Sequence, residues 1–201
     1  MYEEGRMKLI TISREFGSGG REFGKRLADF LGYDYYDREI ITSIAENKGY
    51  SAEYVENSLE SRNNLILNYG TSFVSTQVDV RTELLIEEKR VLDTIAKRGR
   101  NAVIVGRNAD VILGEYNPFT IFVCADREAK IERCMSREKG SLTRREIIAN
   151  IRKIDKSRAR TRALMTGAEW GDVHSYNLTI NTTDKDIKEL AKAVARYLDA
   201  N

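Results

Sequence analysis

The chain has 201 residues, 41% of them hydrophobic and 32% charged, which is enough apolar side chain for one packed domain over residues 1–201. Its 33 basic and 31 acidic residues leave a formal charge of only +2, which argues against a dedicated nucleic-acid binder. No stretch approaches the roughly 18 apolar residues that cross a bilayer, and the opening MYEEGRMKLI has no leader pattern, so the expectation is a cytoplasmic protein without a membrane partner. Cys124 and Cys134 fit no metal-ligand spacing and read as free thiols in a reducing compartment.

In chain order, Lys8 to Ser13 (KLITIS) is a β-branched run and predicts a strand. A glycine turn follows, Gly17 to Gly20, and then Phe23, Leu27, Phe30 and Leu31 recur at helical spacing up to a stop at Gly32. Tyr33 to Tyr36 reads as a second strand ending at Asp37. From Arg38 to Arg98 the pattern is mainly helical. Ser51 is a candidate cap there, and Leu84, Leu85, Val91, Leu92 and Ile95 mark a firm helix. Asn64 to Val80 is poorly patterned and reads as loop or broken helix.

Ala102 to Val105 (AVIV) and Thr120 to Cys124 (TIFVC) are fully apolar runs of the kind found in central parallel strands. Asp126 is a candidate cap for the helix carrying Ile131, Cys134 and Met135. Thr143 and Glu146 form a capping-box pattern before a long helix from Arg144. Leu178 to Asn181 predicts a last strand, and an amphipathic helix from Ile187 to Leu198 closes the chain. Five strands alternating with helices predict an α/β fold with a parallel sheet, and in such sheets ligands sit beyond the carboxyl ends of the strands.

The turn after the first strand reads Arg14-Glu15-Phe16-Gly17-Ser18-Gly19-Gly20-Arg21-Glu22. Strand, glycine turn and helix make a phosphate cradle, because successive amides converge on one anion at a helix N-terminus. The pattern departs from G-x-x-x-x-G-K-[ST]. In one register Gly17-Ser18-Gly19 is the tip, Gly20 stands at the lysine position and Arg21 at the Ser/Thr position. In the other, Gly19 to Arg26 supplies the string with Lys25 as its lysine, but that breaks the helical run through Phe23 and Leu27. The first register is preferred. It makes Arg14, Gly17, Ser18, Gly19, Gly20, Arg21 and Glu22 the candidate ATP-phosphate residues.

The run ITISREFGSGGREFGKRLADFLGYDYYDREII, followed by VGRNADVIL, FVCADREAKIERCM, KIDKSRARTRALMTGAEWG and YNLTINTTD, resembles the cytidylate kinase-like proteins over nearly the whole chain. The resemblance implies a five-stranded parallel sheet of the P-loop nucleoside monophosphate kinase type. It implies a helical acceptor-binding region at 38–98, an arginine-rich lid at 133–168, and transfer of the ATP γ-phosphoryl group to a nucleoside monophosphate with Mg²⁺. It makes Arg21, Arg158 and Arg162 the candidate catalytic residues. Asp37, Arg38, Arg107, Asn108 and Asp155 become the acceptor-site candidates, with Glu22 and Asp37 for the metal. Arg158 and Arg162 lie four apart and are expected to point at one phosphate cluster, whereas Arg133 and Arg137 read as solvated. Asn108 stands where ordinary members have an acid, and Arg38-Glu39 follows Asp37 where they have Thr-Gly, so the acceptor site is altered. CMP or dCMP is the leading acceptor; a non-nucleotide acceptor and a non-catalytic nucleotide-binding regulator are the alternatives. His174 is not expected to be catalytic, and Trp170 is expected to anchor the connection from the lid to the last strand.

Overall fold

The computed structural model describes residues 7–60, 73–106 and 108–200, with backbone alone at residues 60, 73–79 and 81. Five strands, β1 (Leu9–Arg14), β2 (Asp34–Tyr36), β3 (Ala102–Val105), β4 (Phe119–Cys124) and β5 (Leu178–Asn181), form one sheet in the order β2-β3-β1-β4-β5. All four pairings are parallel, and β1 lies at the centre with Ile10 opposite both Val103 and Phe119.

Side chains alternate across this sheet, so each central strand feeds two cores. Ile10, Ile12, Val103, Val105, Ile121 and Val123 face one layer, where α1 (Gly20–Leu31) and α8 (Ile187–Asp199) pack together. There Phe23 and Leu27 are fully buried, each contributing about 2 kcal/mol of hydrophobic stabilisation. Leu9, Ala102 and Ile104 face the other layer, built from α2 (Arg38–Lys48), α3 (Ala52–Glu60) and α4 (Phe73–Lys97) through Ile40, Ile44, Val55, Leu84 and Leu92. A third, smaller cluster joins α6 (Arg127–Glu138) to α7 (Arg144–Thr166) through Ile131, Cys134, Ile147 and Ile151. Phe16, a side chain of the glycine turn, is packed against it.

The terminal signals act as expected at several ends. Gly32 closes α1 in the left-handed conformation, and Ser51 Oγ accepts from Tyr54 N–H. Both halves of the Thr143–Glu146 capping box are formed. Asp126 stands at the start of α6, yet its carboxylate accepts from Asn181 rather than from the helix amides. The segment Asn64 to Val80 needs correction: residues 61–72 lie outside the described residues, but α4 already runs from Phe73. Once a helix is nucleated by its buried downstream turns, extension costs little, so weak patterning does not stop it. The short α5 (Ala109–Ile112) and a 3-10 turn at Gly114–Tyr116 were not legible as separate elements.

Gly24 lies inside α1, where a Cβ would stand 2.6 Å from Val105 Cγ2 and 2.9 Å from Ile12 Cδ1. Gly24→Ala is therefore expected to destabilise the fold by about 1 kcal/mol, overpacking outweighing the gain in helix propensity, as a lower midpoint in urea unfolding.

Candidate functional site

The turn between β1 and α1 is bare backbone held against three other elements. Gly17 and Gly19 both have φ of 81°, which side-chain-bearing residues rarely adopt. A Cβ on Gly17 would meet Lys130 O and Cys134 Sγ at 3.0 Å, and one on Gly19 would meet Ile187 Cδ1 at 2.4 Å. On Gly20 it would stand 2.6 Å from Arg14 Cβ, so the position at which a lysine was sought admits no side chain without displacement. Ser18 is fully buried; its Oγ donates to Glu15 O, and its carbonyl accepts from Thr182 Oγ1 at 2.6 Å. Helix α1 starts at Gly20, which puts Arg21 in its first turn and Lys25 on an exposed position of its second.

Two charge clusters flank this turn. In the first, Asp37 is buried at the end of β2 and takes Arg21 Nε on one oxygen and Arg14 at 3.6 Å on the other. The Arg14 guanidinium lies over Gly106, where any Cβ would collide with it. Asp37 Oδ1 makes no hydrogen bond with the described residues. Tyr35 stands beside this cluster; burial, helped by the Asp37 charge, pushes its hydroxyl up to about 12, so it stays neutral. Glu22 is turned to Arg26 on the exposed face of α1, at 2.8 Å.

In the second cluster, Lys130 is buried on α6 with Nζ 3.0 Å from Glu15 Oε2 and 3.5 Å from Asp155 Oδ2. Asp155, on α7, accepts the Phe16 backbone N–H at 2.7 Å. Arg158, one turn on, donates to Arg14 O at 3.0 Å and lies 3.8 Å from Asp155 Oδ1. Helix α7 thus touches the turn directly.

Arg158 and Arg162 share a helix face but not a target. Arg162 is buried, pairs with Asp110 of α5 and lies 5.4 Å from the centre of the Tyr176 ring. Its Nε and Asp110 Oδ1 have no hydrogen-bond partner among the described residues. Arg133 is not merely solvated, since it grips Thr182 through Oγ1 and the carbonyl. Arg38 is exposed at the start of α2, and Arg107 lies outside the described residues. Asn108 takes the left-handed conformation at the start of α5, with φ of 47°.

A cleft opens beside Arg14, between the ends of β1 and β3 and helices α3, α4 and α7. Asn108 and Arg158 line it, with Leu59, Leu85 and the buried Glu88 on the helical side. Trp170 lines it too and packs edge-on against Phe122, as an anchor for that connection should. Glu15, Lys130, Thr182, Asp110 and Glu88 were missed from sequence. A carboxylate at Glu15 inside an anion-binding turn was the one local signal, since it requires a cation nearby.

Burial holds the Asp155 carboxyl above the usual range, outweighing the Phe16 N–H, Lys130 and Arg158, which act the other way. A raised folded-state value means that the folded protein holds this proton more tightly, so the contribution of Asp155 to stability falls as pH rises above the ordinary aspartate value of about 4. The stability of the wild type relative to Asp155→Asn is therefore expected to increase as pH falls toward that value, read from urea midpoints across pH.

A family model described as the cytidylate kinase-like family matches residues 9–184. A cytidylate kinase of Haloarcula marismortui is 25% identical over 179 residues, which cover 89% of this chain and 82% of that protein. An uncharacterized protein from Eubacterium ventriosum superposes with a TM-score of 0.71 at 23% identity, covering 97% of this chain and all of the other. Shikimate kinase from Acinetobacter baumannii, in complex with shikimate, superposes at 0.57 and 14% identity over 98% of this chain and 96% of its own. These structural likenesses establish the P-loop kinase fold. The match of the family model across most of the chain establishes more: the protein belongs to the cytidylate kinase-like family.

Proposed function

We propose that the protein transfers the γ-phosphoryl group of ATP to a nucleoside monophosphate, with CMP or dCMP as acceptor. The observation that carries this reading is the bare glycine turn at the carboxyl end of the central strand, opening beside an arginine-lined cleft. The amides of Gly17 to Arg21 hold the donor phosphates at the start of α1. Arg21 and Arg14 supply charge that the missing lysine would have carried. Helix α7 serves as the lid, and Arg158 is its arginine at the turn. Arg162 joins the reacting phosphates only by leaving Asp110. The acceptor lies in the cleft with Asn108, and Asp37, Arg38, Arg107 and Asp155 are its further candidate contacts. A monophosphate is already an oxyanion, so the reaction needs alignment, charge neutralisation and exclusion of water rather than a dedicated base.

A bound magnesium would supply charge neutralisation of the donor phosphates. Asp37 Oδ1, a buried oxygen with no hydrogen bond among the described residues and Arg14 at 3.6 Å, would be the oxygen to hold it. Glu22 would have to leave Arg26 to join it.

The cleft suits a base that carries an exocyclic amino group over uracil. Its apolar wall at Leu59 and Leu85 suits a ring, and the Glu88 carboxylate can accept from an exocyclic amino group that uracil lacks. A kinase of a non-nucleotide molecule is the second reading, favoured by the departures at Arg38 and Asn108 from ordinary cytidylate kinases.

ATP turnover with Mg²⁺ is expected to be stimulated by CMP or dCMP in a panel with UMP, AMP and GMP. ATP binding without stimulated turnover by any of them would sink the nucleotide reading. Arg21→Ala is expected to weaken ATP binding by about tenfold and more than Lys25→Ala does, as read by calorimetry. In competition kinetics, Glu88→Gln is expected to reduce the preference for CMP over UMP by about tenfold.

A further inference from the structure

The Asp155 carboxylate sits among three donors: Phe16 N–H at 2.7 Å, Lys130 Nζ at 3.5 Å and Arg158 Nη1 at 3.8 Å. Two cations and a backbone amide of the glycine turn converging on one oxygen-bearing anion make an anion site. Here the anion belongs to the protein itself, and burial disfavours its charge. The turn has no lysine of its own, because Gly20 has no space for one. The Lys130 backbone lies directly beneath Gly17, and its ammonium reaches the two carboxylates that flank Phe16 in space, Glu15 and Asp155.

We infer that Asp155 occupies the seat of the donor's terminal phosphate, and that Phe16 N–H, Lys130 and Arg158 hold that phosphate once Asp155 has left. This rests on the reading of the turn as an ATP site. Lys130 then adds, from another helix, to the charge that Arg14 and Arg21 supply in place of the missing loop lysine. Glu15 keeps Lys130 paired and aimed in both states. Asp155 is a built-in competitor: it ties α7 to the turn while the site lacks nucleotide. Its displacement frees it to face the acceptor cleft.

A carboxylate in the seat of the terminal phosphate opposes ATP more than ADP, which lacks that phosphate, whereas a carboxylate that is merely nearby opposes both. The test is calorimetric binding of Mg·ATP and Mg·ADP to the full chain. Asp155→Asn removes the competing charge and is expected to tighten ATP by about fivefold or more, with a smaller change for ADP. Lys130→Met is expected to weaken ATP by about tenfold or more and ADP less, while Lys130→Arg retains most of the affinity. Asp155→Asn proteins that bind ATP no tighter than the wild type would overturn the inference and leave the ATP reading standing. So would equal losses of ATP and ADP in Lys130→Met. If Lys130→Met does not fold by circular dichroism, the ATP-to-ADP ratios of Asp155→Asn and Lys130→Arg decide alone. A wild-type protein that binds neither nucleotide overturns the functional reading and this inference together.

Discussion

The space beneath the β1–α1 turn sets the terms for the rest of the site. Lys130 and Cys134 of α6 lie against Gly17, Ile187 of α8 against Gly19, and the Arg14 side chain against Gly20. Two helices from distant parts of the chain, together with the Arg14 side chain, thus require the turn to be bare. Its amides are what remains to face a ligand, and the positive charge near them has to come from elsewhere. It comes from Arg14 and Arg21 on one side and from Lys130 and Arg158 on the other.

Each of these cations is already paired with a carboxylate. Asp37 holds Arg14 and Arg21, Glu15 and Asp155 hold Lys130, and Asp155 lies 3.8 Å from Arg158. A partly buried cation without a partner would pay a large desolvation cost, so the pairs keep the site folded while it is empty of ligand. On the proposed reading, an incoming phosphate competes with Asp155 for Lys130 and Arg158. Asp155 ties α7 to the turn through Phe16 N–H, and Phe16 adds to this tie by seating its ring in the cluster between α6 and α7.

The fold narrows the chemistry without naming the acceptor. On the proposed reading, specificity lies in the cleft between the sheet and the α3–α4 layer. There, an apolar wall and one carboxylate on α4 face the end of β3, and the left-handed backbone of Asn108 turns the chain away from the strand.

The strands and the glycine turn were legible because their signals are local. A β-branched run, a glycine cluster and a helical repeat need no distant partner to be recognised, and the family resemblance implied one five-stranded parallel sheet. The capping box at Thr143 and the stop at Gly32 are local in the same sense. What the sequence could not reveal was which charges meet. Arg158 and Arg162 look alike along the helix, yet one reaches the turn and the other is buried against Asp110, because α5 approaches only one of them. Glu15 and Lys130 are 115 positions apart and become partners only when α6 is folded under the turn. The sequence by itself determined the parallel α/β frame and the place of the phosphate turn, since both follow from local backbone and hydrophobic pattern. The tertiary structure alone decided how that turn acquires its charge, since long-range pairing depends on where whole helices pack.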